Sequence, residues 1–418
     1  MSKSSADAVH NKRVAFYSEK QYQCGASIAA LRVAMEMPKA AVSVDYHYDM
    51  PSPGLKRGNI FKTINFTRVV AGHSDYAIET LKAAEIAEAP NRDALRQDFF
   101  EQHLRTRMKS GDFDAAHFHN YSGSRGTLVD IANNKPLVWT MHDTSPVTGY
   151  HYRTYDPDNA PLEYKAKTTP AGESFWEALR GKPFALTAPS VWLTEYAKAS
   201  VPDHITVRHI PNAVPETGFY PMDKALARAI IGIPPGKLYM LFFAGTGAWK
   251  RKNFEILARA FNKVPDLPVH AIVVGGVADT DLMRDPRFSF MNSFDPVLDA
   301  AKIVALYNAV DAFCITSLID NLPNTVLEAI SCGRPVIGAR VGGVTDMVKD
   351  GVNGWLFDPR DADSAASALK RFSEDAPRLD EMGQMSLKIA RDGFQQSDVA
   401  GAFRSLYEEL AEIHQKRN

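Results

Sequence analysis

Cysteine is scarce in this chain. Its 418 residues contain three cysteines, Cys24, Cys314 and Cys332, which are scattered and odd in number. Disulfide frameworks need paired cysteines and an oxidising compartment. The pattern therefore predicts a protein of a reducing compartment.

Long apolar runs and an excess of one charge are lacking as well. No uninterrupted apolar stretch approaches the roughly 18 residues that cross a bilayer, and the polar residues 1–13 lack the apolar segment of a signal peptide. The formal net charge of -1 implies no overall attraction to nucleic acid or to an anionic membrane. We expect a cytoplasmic protein with no nucleic-acid partner.

The composition is otherwise that of a globular protein with room for two domains. Hydrophobic residues make up 45% of the chain and charged residues 23%, and a chain of this length builds two cores comfortably. Strand-like and helix-like segments alternate, which predicts an α/β fold with parallel sheets. The predicted strands are 14–17, 42–47, 115–119, 137–140, 184–187, 205–210, 238–243, 269–274, 288–291, 312–315 and 335–338.

The turn-rich stretch 213–220, just after Pro211 and Asn212, marks the predicted domain boundary. We predict a polar tail at 1–13, a first domain at 14–215 and a second domain at 216–396. Apolar residues recur at helical spacing over 397–418, which predicts a final helix there. Residues 81–108 are predicted to be largely helical, with a break at 90–92, and an irregular segment is predicted at 150–181.

The most informative segment spans residues 316–346. A polar loop that includes Asp320 joins a strand to a short helix that carries Glu328. Ligands bind at such strand ends in open parallel sheets, and the N–H groups of a first helical turn suit a diphosphate. Ionised carboxylates only accept hydrogen bonds, so this pair indicates a ligand that also carries hydroxyl groups, as a sugar and a ribose do. Taken singly, Asp320 is equally consistent with a loop cap, and Glu328 with a solvated helix residue.

This segment resembles the donor-site signature of the retaining glycosyltransferases of family 4, which have the GT-B fold. The signature is an acidic residue, seven others, Glu-Ala, a Cys-Gly or Ala-Gly turn, a Pro-Val strand and a Gly-Gly pair. Here Asp320 replaces the more usual glutamate, within an Asp-Asn-Leu-Pro-Asn sequence that resembles bacterial enzymes of exopolysaccharide and lipopolysaccharide assembly. The resemblance implies two Rossmann-like, doubly wound domains facing across a cleft, with the C-terminal helix crossing back to the first domain.

The resemblance also implies roles in the second domain. Lys252 matches the diphosphate-binding lysine of the family, and Arg251 is expected to assist it. Glu328 is expected to bind ribose hydroxyls, and Asp320 to hold sugar hydroxyls. Further donor contacts are expected from the loop and the first helical turn, at Asn321, Leu322, Asn324 and Thr325.

Glycine-containing turns follow the opening strand of each domain. Gly245 and Thr246 lie there in the second domain, and Thr246 stands where many relatives carry an arginine. Gly25 lies at the matching turn of the first domain. Because glycine lets a backbone approach a ligand closely, we expect the turn at Gly245 and Thr246 to contact the donor. For the turn at Gly25, the resemblance implies an approach to the donor or acceptor across the cleft, and we expect Gly25 to contact the donor. Phe294 falls where the base-contacting loop of the family tends to lie, and it either stacks on the base or packs on its neighbours.

Histidines follow or occupy two predicted strands of the first domain. His142, in the sequence Trp-Thr-Met-His-Asp, matches the family residue that contacts the transferred sugar near its anomeric carbon. A lone histidine at a strand end is otherwise commonly a satisfied buried imidazole. His117 and His119 share one face of a strand, but no third ligand stands at a telling distance, so we predict no metal site.

The resemblance implies a retaining, metal-independent glycosyltransferase without a cofactor. It would move a sugar from a nucleoside-diphosphate sugar, with UDP or GDP, to a polysaccharide or lipid-linked acceptor. The residues expected to carry the chemistry are His142, Lys252, Asp320 and Glu328. Basic patches at 56–57 and 105–109 are candidates for peripheral contact with the inner face of a membrane.

Two alternatives belong to other classes. A GT-B sugar-nucleotide epimerase would need additional acid/base carboxylates, and a phosphorylase would need a lysine-anchored pyridoxal phosphate; the sequence gives no convincing signal for either. A catalytically inactive sugar-nucleotide-binding subunit is motivated by the replacements at Thr246 and Asp320.

Overall fold

The computed structural model describes residues 12–18, 25–37, 42–51, 59–65, 113–119, 121, 123–148, 170–215, 217–245, 249–275, 285–292 and 300–417. The helix predicted at 81–108, both basic patches and most of the segment 150–181 lie outside these residues.

The first sheet lies in the N-terminal half of the chain. Its strands are β1 (Lys12–Ser18), β2 (Val42–Pro51), β3 (Asn59–Asn65), β4 (Ala115–His119), β5 (Leu137–Thr140), β6 (Phe184–Ala188) and β7 (Thr206–His209). They are ordered β3-β2-β1-β4-β5-β6-β7. All neighbouring pairs are parallel except β2 with β3.

Helices accompany the strands of this sheet, and the central strands are buried. They are α1 (Gly25–Glu36), α2 (Arg125–Asn134), α3 (Ser145–Thr148), α4 (Pro170–Ala178) and α5 (Val191–Lys198). Every residue of β4, β5 and β6 is buried. Continuous burial is typical of parallel strands covered on both faces.

The second sheet consists of parallel strands only, among the residues described. Its strands are β8 (Leu238–Gly245), β9 (Val269–Gly275), β10 (Phe288–Met291), β11 (Ala312–Ile315), β12 (Val336–Ala339) and β13 (Gly354–Phe357). Their order is β10-β9-β8-β11-β12-β13. The accompanying helices are α6 (Lys224–Ile231), α7 (Trp249–Lys252), α8 (Phe254–Lys263), α9 (Ala300–Ala309), α10 (Asn324–Ser331), α11 (Val344–Met347), α12 (Ala362–Glu374) and α13 (Leu379–Phe394), with a 3-10 turn at Ala376–Arg378.

The last helix, α14 (Gln396–Arg417), returns from the second sheet to the first. Its buried residues Phe403, Tyr407 and Leu410 share a core cluster with Phe16 of β1 and Val33 of α1. Burial of side chains such as Phe403 and Leu410 stabilises the fold by about 1.5–3 kcal/mol each. This helix therefore ties the end of the chain to its beginning.

The predicted fold class is confirmed: the chain is α/β, with two parallel-type sheets and alternating helices. The change from one sheet to the other falls between β7 and β8, around the predicted boundary. The irregular segment predicted at 150–181 contains a helix, α4. Proline at the first helical position is favourable, and the buried Trp176 anchors the helix to the first core.

Candidate functional site

The loop between β11 and α10 is bound to the segment that holds Arg251 and Lys252. Thr316 Oγ1 donates to the Lys252 carbonyl at 2.5 Å, and Leu318 N donates to the Arg251 carbonyl at 2.9 Å. These bonds place the ends of β8 and β11, neighbours in the sheet, at one site. The structure thus brings together the lysine, arginine and aspartate that the sequence analysis selected.

Asp320 is buried beneath two cations. Its Oδ2 accepts from Arg251 Nη1 at 3.1 Å and Lys252 Nζ at 3.0 Å, and from Ser317 Oγ at 3.1 Å. Among the described residues, none donates to Oδ1. Burial opposes ionisation of Asp320, but Lys252, Arg251 and Ser317 outweigh it and lower its pKa to about 2.

Burial acts on the lysine of this cluster in the opposite sense. Desolvation lowers the pKa of Lys252 from its ordinary value, although Asp320 counteracts the shift. The contacts favour an ionised pair, since three donors converge on one carboxylate oxygen. Two cations thus meet one carboxylate just after β8.

Helix α10 begins where the loop that follows β11 ends. Pro323 stands at its N-cap position, and no side chain caps the turn. The N–H groups of a first helical turn have no partner within the helix, and their dipoles favour an anion. Asn324 and Thr325, both half-buried, begin this helix.

Glu328 lies one turn further along α10, and its carboxylate is already bonded on both oxygens. Oε1 accepts from Arg32 Nη2 at 2.6 Å, and Oε2 accepts from Tyr307 Oη at 2.8 Å. Arg32 belongs to α1, so this buried ion pair joins the two domains. The Arg32 guanidinium also lies 5.4 Å from the centre of the Phe219 ring.

Asn321 forms a second link between the domains. Its Oδ1 accepts from Ser190 Oγ at 2.6 Å, and its Nδ2 donates to the carbonyl of His142 at 3.2 Å. The side chain thus faces the first domain, and the loop between β11 and α10 lies directly against the end of β5. Asn212 Nδ2 adds a bond to the Leu322 carbonyl at 3.0 Å.

Two glycines let the loop lie this close. Gly342 has φ +42°, and a Cβ added there would stand 2.0 Å from the carbonyl oxygen of Asp320. A Cβ at Gly343 would stand 2.0 Å from that of Asn321, whose oxygen accepts from Gly343 N at 2.6 Å. The loop between β11 and α10 can therefore pack against residues 342–343 only because both are glycines.

His142 lies half-buried just beyond β5, on the first-domain side. Its Nε2 is 2.9 Å from Nδ1 of His119, the last residue of β4. Burial lowers the pKa of His142 to about 4, although Asp143 counteracts part of the shift. The imidazole is thus neutral near pH 7.

The remaining predicted residues divide into two groups. Gly25 begins α1 and Gly245 ends β8, which places both at strand–helix turns. Thr246 and Phe294 lie outside the described residues, so the structure leaves their predicted contacts as predictions.

Comparison with known proteins identifies the architecture. Residues 239–375 match the family model described as Glycosyl transferases group 1. D-inositol 3-phosphate glycosyltransferase of Nocardia farcinica is 25% identical over 94% of this chain and 86% of that protein. The corresponding protein of Arthrobacter sp. is 26% identical over 68% of each chain.

Solved structures show the same fold over nearly the whole length. Sucrose-phosphate synthase from Thermosynechococcus elongatus superposes with a TM-score of 0.72 at 19% identity, covering 96% of this chain and 99% of that one. The Anabaena protein HepE, in complex with UDP and glucose, superposes with a TM-score of 0.62 at 16% identity, covering 94% and 98%. This chain is a GT-B glycosyltransferase.

Four residues that contact the predicted site residues were missed in the sequence analysis: Arg32, Tyr307, Ser190 and Asn212. One signal was available for Arg32, which is a lone cation in an otherwise apolar helical run. Ser190 was recognisable only as a helix start, and it does cap α5 by accepting from Leu193 N at 3.1 Å.

Within the described parts of the glycosyltransferase, no three His, Cys, Asp or Glu side chains converge as metal ligands would. Nor does any helix among those residues combine the length and apolarity needed to cross a bilayer.

Proposed function

We propose that this GT-B glycosyltransferase is a retaining, metal-independent enzyme that moves a sugar from a nucleoside-diphosphate sugar to a glycan or lipid-linked acceptor. The observation that carries the proposal is the cluster of Lys252, Arg251 and Asp320 beside the uncapped first turn of α10. The Anabaena neighbour that holds UDP and glucose supports the choice of donor.

The cluster suits a departing diphosphate. Fixed positive charge and helical N–H groups stabilise negative charge as it develops, and such preorganised stabilisation is commonly the largest catalytic contribution. Lys252 and Arg251 supply this charge from the protein itself, which is the basis for proposing a reaction without a metal or cofactor. Asp320 holds both cations through Oδ2 and keeps Oδ1 for a sugar hydroxyl.

The nucleoside end of the donor belongs beside Glu328 in this proposal. A carboxylate offers about four lone-pair positions, and Arg32 and Tyr307 occupy two of them. The others can accept from the ribose hydroxyls. His142, across the cleft, contacts the sugar near the reacting carbon.

Retention follows if the acceptor attacks from the face that the diphosphate leaves. The bond between the anomeric carbon and the diphosphate oxygen breaks, the bond to the acceptor oxygen forms, and the diphosphate takes the acceptor proton. The cytoplasmic location and the peripheral contact with the inner face of a membrane, both expected from the sequence, remain parts of this proposal.

The test is transfer from UDP- and GDP-sugars in buffer containing EDTA, with D-inositol 3-phosphate and lipid-linked glycans among the acceptors. We expect acceptor-dependent release of nucleoside diphosphate, and proton NMR of the product should show the anomeric configuration of the donor. An inverted product, or loss of activity with EDTA, contradicts the proposed mechanism. An isomerised sugar nucleotide formed without acceptor would indicate an epimerase, and binding without release would indicate an inactive subunit.

A further inference from the structure

Three histidines of the first domain form one buried cluster. His117 and His119 lie on the same face of β4, with ring centres 4.2 Å apart. The ring centre of His142 lies 5.2 Å from that of His119. His117 and His119 are almost fully buried, and burial lowers the pKa of each well below its ordinary value. All three rings are therefore neutral near pH 7.

A single proton lies between His119 Nδ1 and His142 Nε2, which are 2.9 Å apart. One ring must donate and the other accept, and in neutral rings this choice fixes both tautomers. The geometry alone leaves two arrangements. Which of them holds depends on what the second nitrogen of His119 contacts.

That second nitrogen, Nε2 of His119, is buried and has no hydrogen-bond partner among the described residues. A proton there would leave an N–H donor buried without an acceptor, and such orphaned donors are rare in folded proteins. A lone pair in the same place is the less costly arrangement. The proton of His119 therefore sits on Nδ1, and His142 Nε2 accepts it.

We propose that His119 is a positioning residue that fixes His142 in the tautomer protonated on Nδ1 and so sets how this ring meets the sugar. The inference rests on the sugar contact of His142 in the proposed function. His119 contributes through the bond to His142 and not through contact with substrate. It is held in turn by the stacked ring of Phe16, 5.7 Å away.

His117 offers a matched control on the same strand. It is as buried as His119 but bonds elsewhere, to Tyr407 Oη at 2.7 Å and Thr140 Oγ1 at 2.6 Å. Removing its ring disturbs the same core and leaves the bond between His119 and His142 in place. A purely structural role for His119 predicts equal effects at both positions.

The direct test is 15N NMR of the histidine-labelled, full-length protein, which reports the tautomer of each ring. We expect His142 to be protonated on Nδ1 in the wild type. In His119→Leu we expect a mixture of tautomers at His142, whereas His119→Asn, which keeps an N–H donor near the position of Nδ1, should preserve the wild-type signature.

Kinetics supply the second readout. His119→Leu should lower kcat about tenfold or more through misorientation of His142, with the Kd of the nucleoside diphosphate unchanged. His119→Asn should retain most of kcat. His117→Leu should lower Tm but keep kcat within about threefold below its melting range.

Three outcomes overturn the inference: a wild-type His142 protonated on Nε2, a single unchanged tautomer in His119→Leu, or equal losses of kcat in His119→Leu and His117→Leu. Failure of the proposed function is recognised separately. If His142→Ala keeps the wild-type kcat, the sugar contact is wrong, while the NMR signature still decides the tautomer.

Discussion

The buried polar groups on the two sides of the cleft differ in charge: the second-domain side has carboxylates in ion pairs, and the first-domain side has a cluster of neutral histidines. On the second-domain side, Asp320 is held by Lys252 and Arg251, and Glu328 is held by Arg32. Each of these two buried carboxylates lies beside an opposite charge. On the first-domain side, His117, His119 and His142 form a buried cluster that desolvation keeps neutral. Arg32 is the first-domain charge that reaches across to Glu328.

This difference matches the two halves of a sugar nucleotide. A diphosphate carries charge that grows as it leaves, and fixed cations stabilise that charge most strongly where water is excluded. The sugar is uncharged and presents hydroxyl groups. Neutral imidazoles can donate to or accept from hydroxyls without drawing the diphosphate to the wrong side of the cleft.

The largest predicted effect concerns the ion pair that joins the two sides. Removing one partner of a buried pair leaves the other charge uncompensated and destabilises a protein by about 3–5 kcal/mol. We therefore expect Arg32→Met to lower the free energy of unfolding by about this amount, measured by urea denaturation at pH 7.

The double variant Arg32→Met/Glu328→Gln separates stability from donor binding. It should recover most of the lost stability, because no unpaired buried charge remains. Calorimetric titration should show that wild type prefers UDP over 2′-deoxy-UDP, or GDP over its deoxy analogue, and that Glu328→Gln and the double variant lose this preference. A preference that survives in Glu328→Gln would show that Glu328 does not bind ribose.

Lys252→Met should have the next largest effect. The substitution keeps the length of the side chain and removes its charge, while Arg251 still holds Asp320. Loss of one preorganised donor commonly lowers activity by about 10²–10³-fold, so we expect kcat/KM for the donor to fall by this factor.

The matched control is Lys263→Met. Lys263 pairs with Asp363 at 2.7 Å, and both side chains are largely exposed. Exposed pairs contribute little, so kcat/KM should stay at the wild-type level. If both lysine variants lost activity equally, the effect of Lys252 would be one of general charge and not of position.

Much of the fold was predictable because local patterns determine it. Buried parallel strands are continuous apolar runs, and β11 was predicted at the residues where it occurs. The loop from Asp320 to Asn324 was recognisable because its residues are adjacent in sequence. The helix α4 was missed because proline and charge resemble a loop until the burial of Trp176 is known.

The contacts between domains were not predictable in this way. Arg32 and Glu328 are separated by 296 positions, and Asn321 and His142 by 179. A single sequence carries no signal that couples such distant positions. The residues that join the two sides of the cleft became visible only when both sheets were in place.

The smallest of the expected effects is on stability at low pH. As pH falls, the histidines of the first domain should lower stability first, and Asp320 of the second domain should do so at lower pH. Burial lowers the folded-state pKa values of His117 and His119, so the unfolded chain binds protons first as pH falls below about 6.5, and stability falls with pH from there. The pKa of Asp320 is also depressed, to about 2, and its contribution of about 2 kcal/mol is full above pH 4 and lost toward pH 2.

Urea denaturation at pH 7, 5 and 3 checks this order. The quantity to compare is the change in the free energy of unfolding between two pH values, because the pH-independent loss that each substitution causes cancels from that difference. His117→Leu should reduce the loss of stability between pH 7 and 5, where the carboxylate of Asp320 stays ionised in both states. Asp320→Asn should leave that loss unchanged and reduce the further loss between pH 5 and 3. The contrast between the histidine cluster and the Asp320 ion pairs is wrong if Asp320→Asn reduces the loss of stability between pH 7 and 5. A carboxylate would then control stability in the range where the histidines are expected to do so.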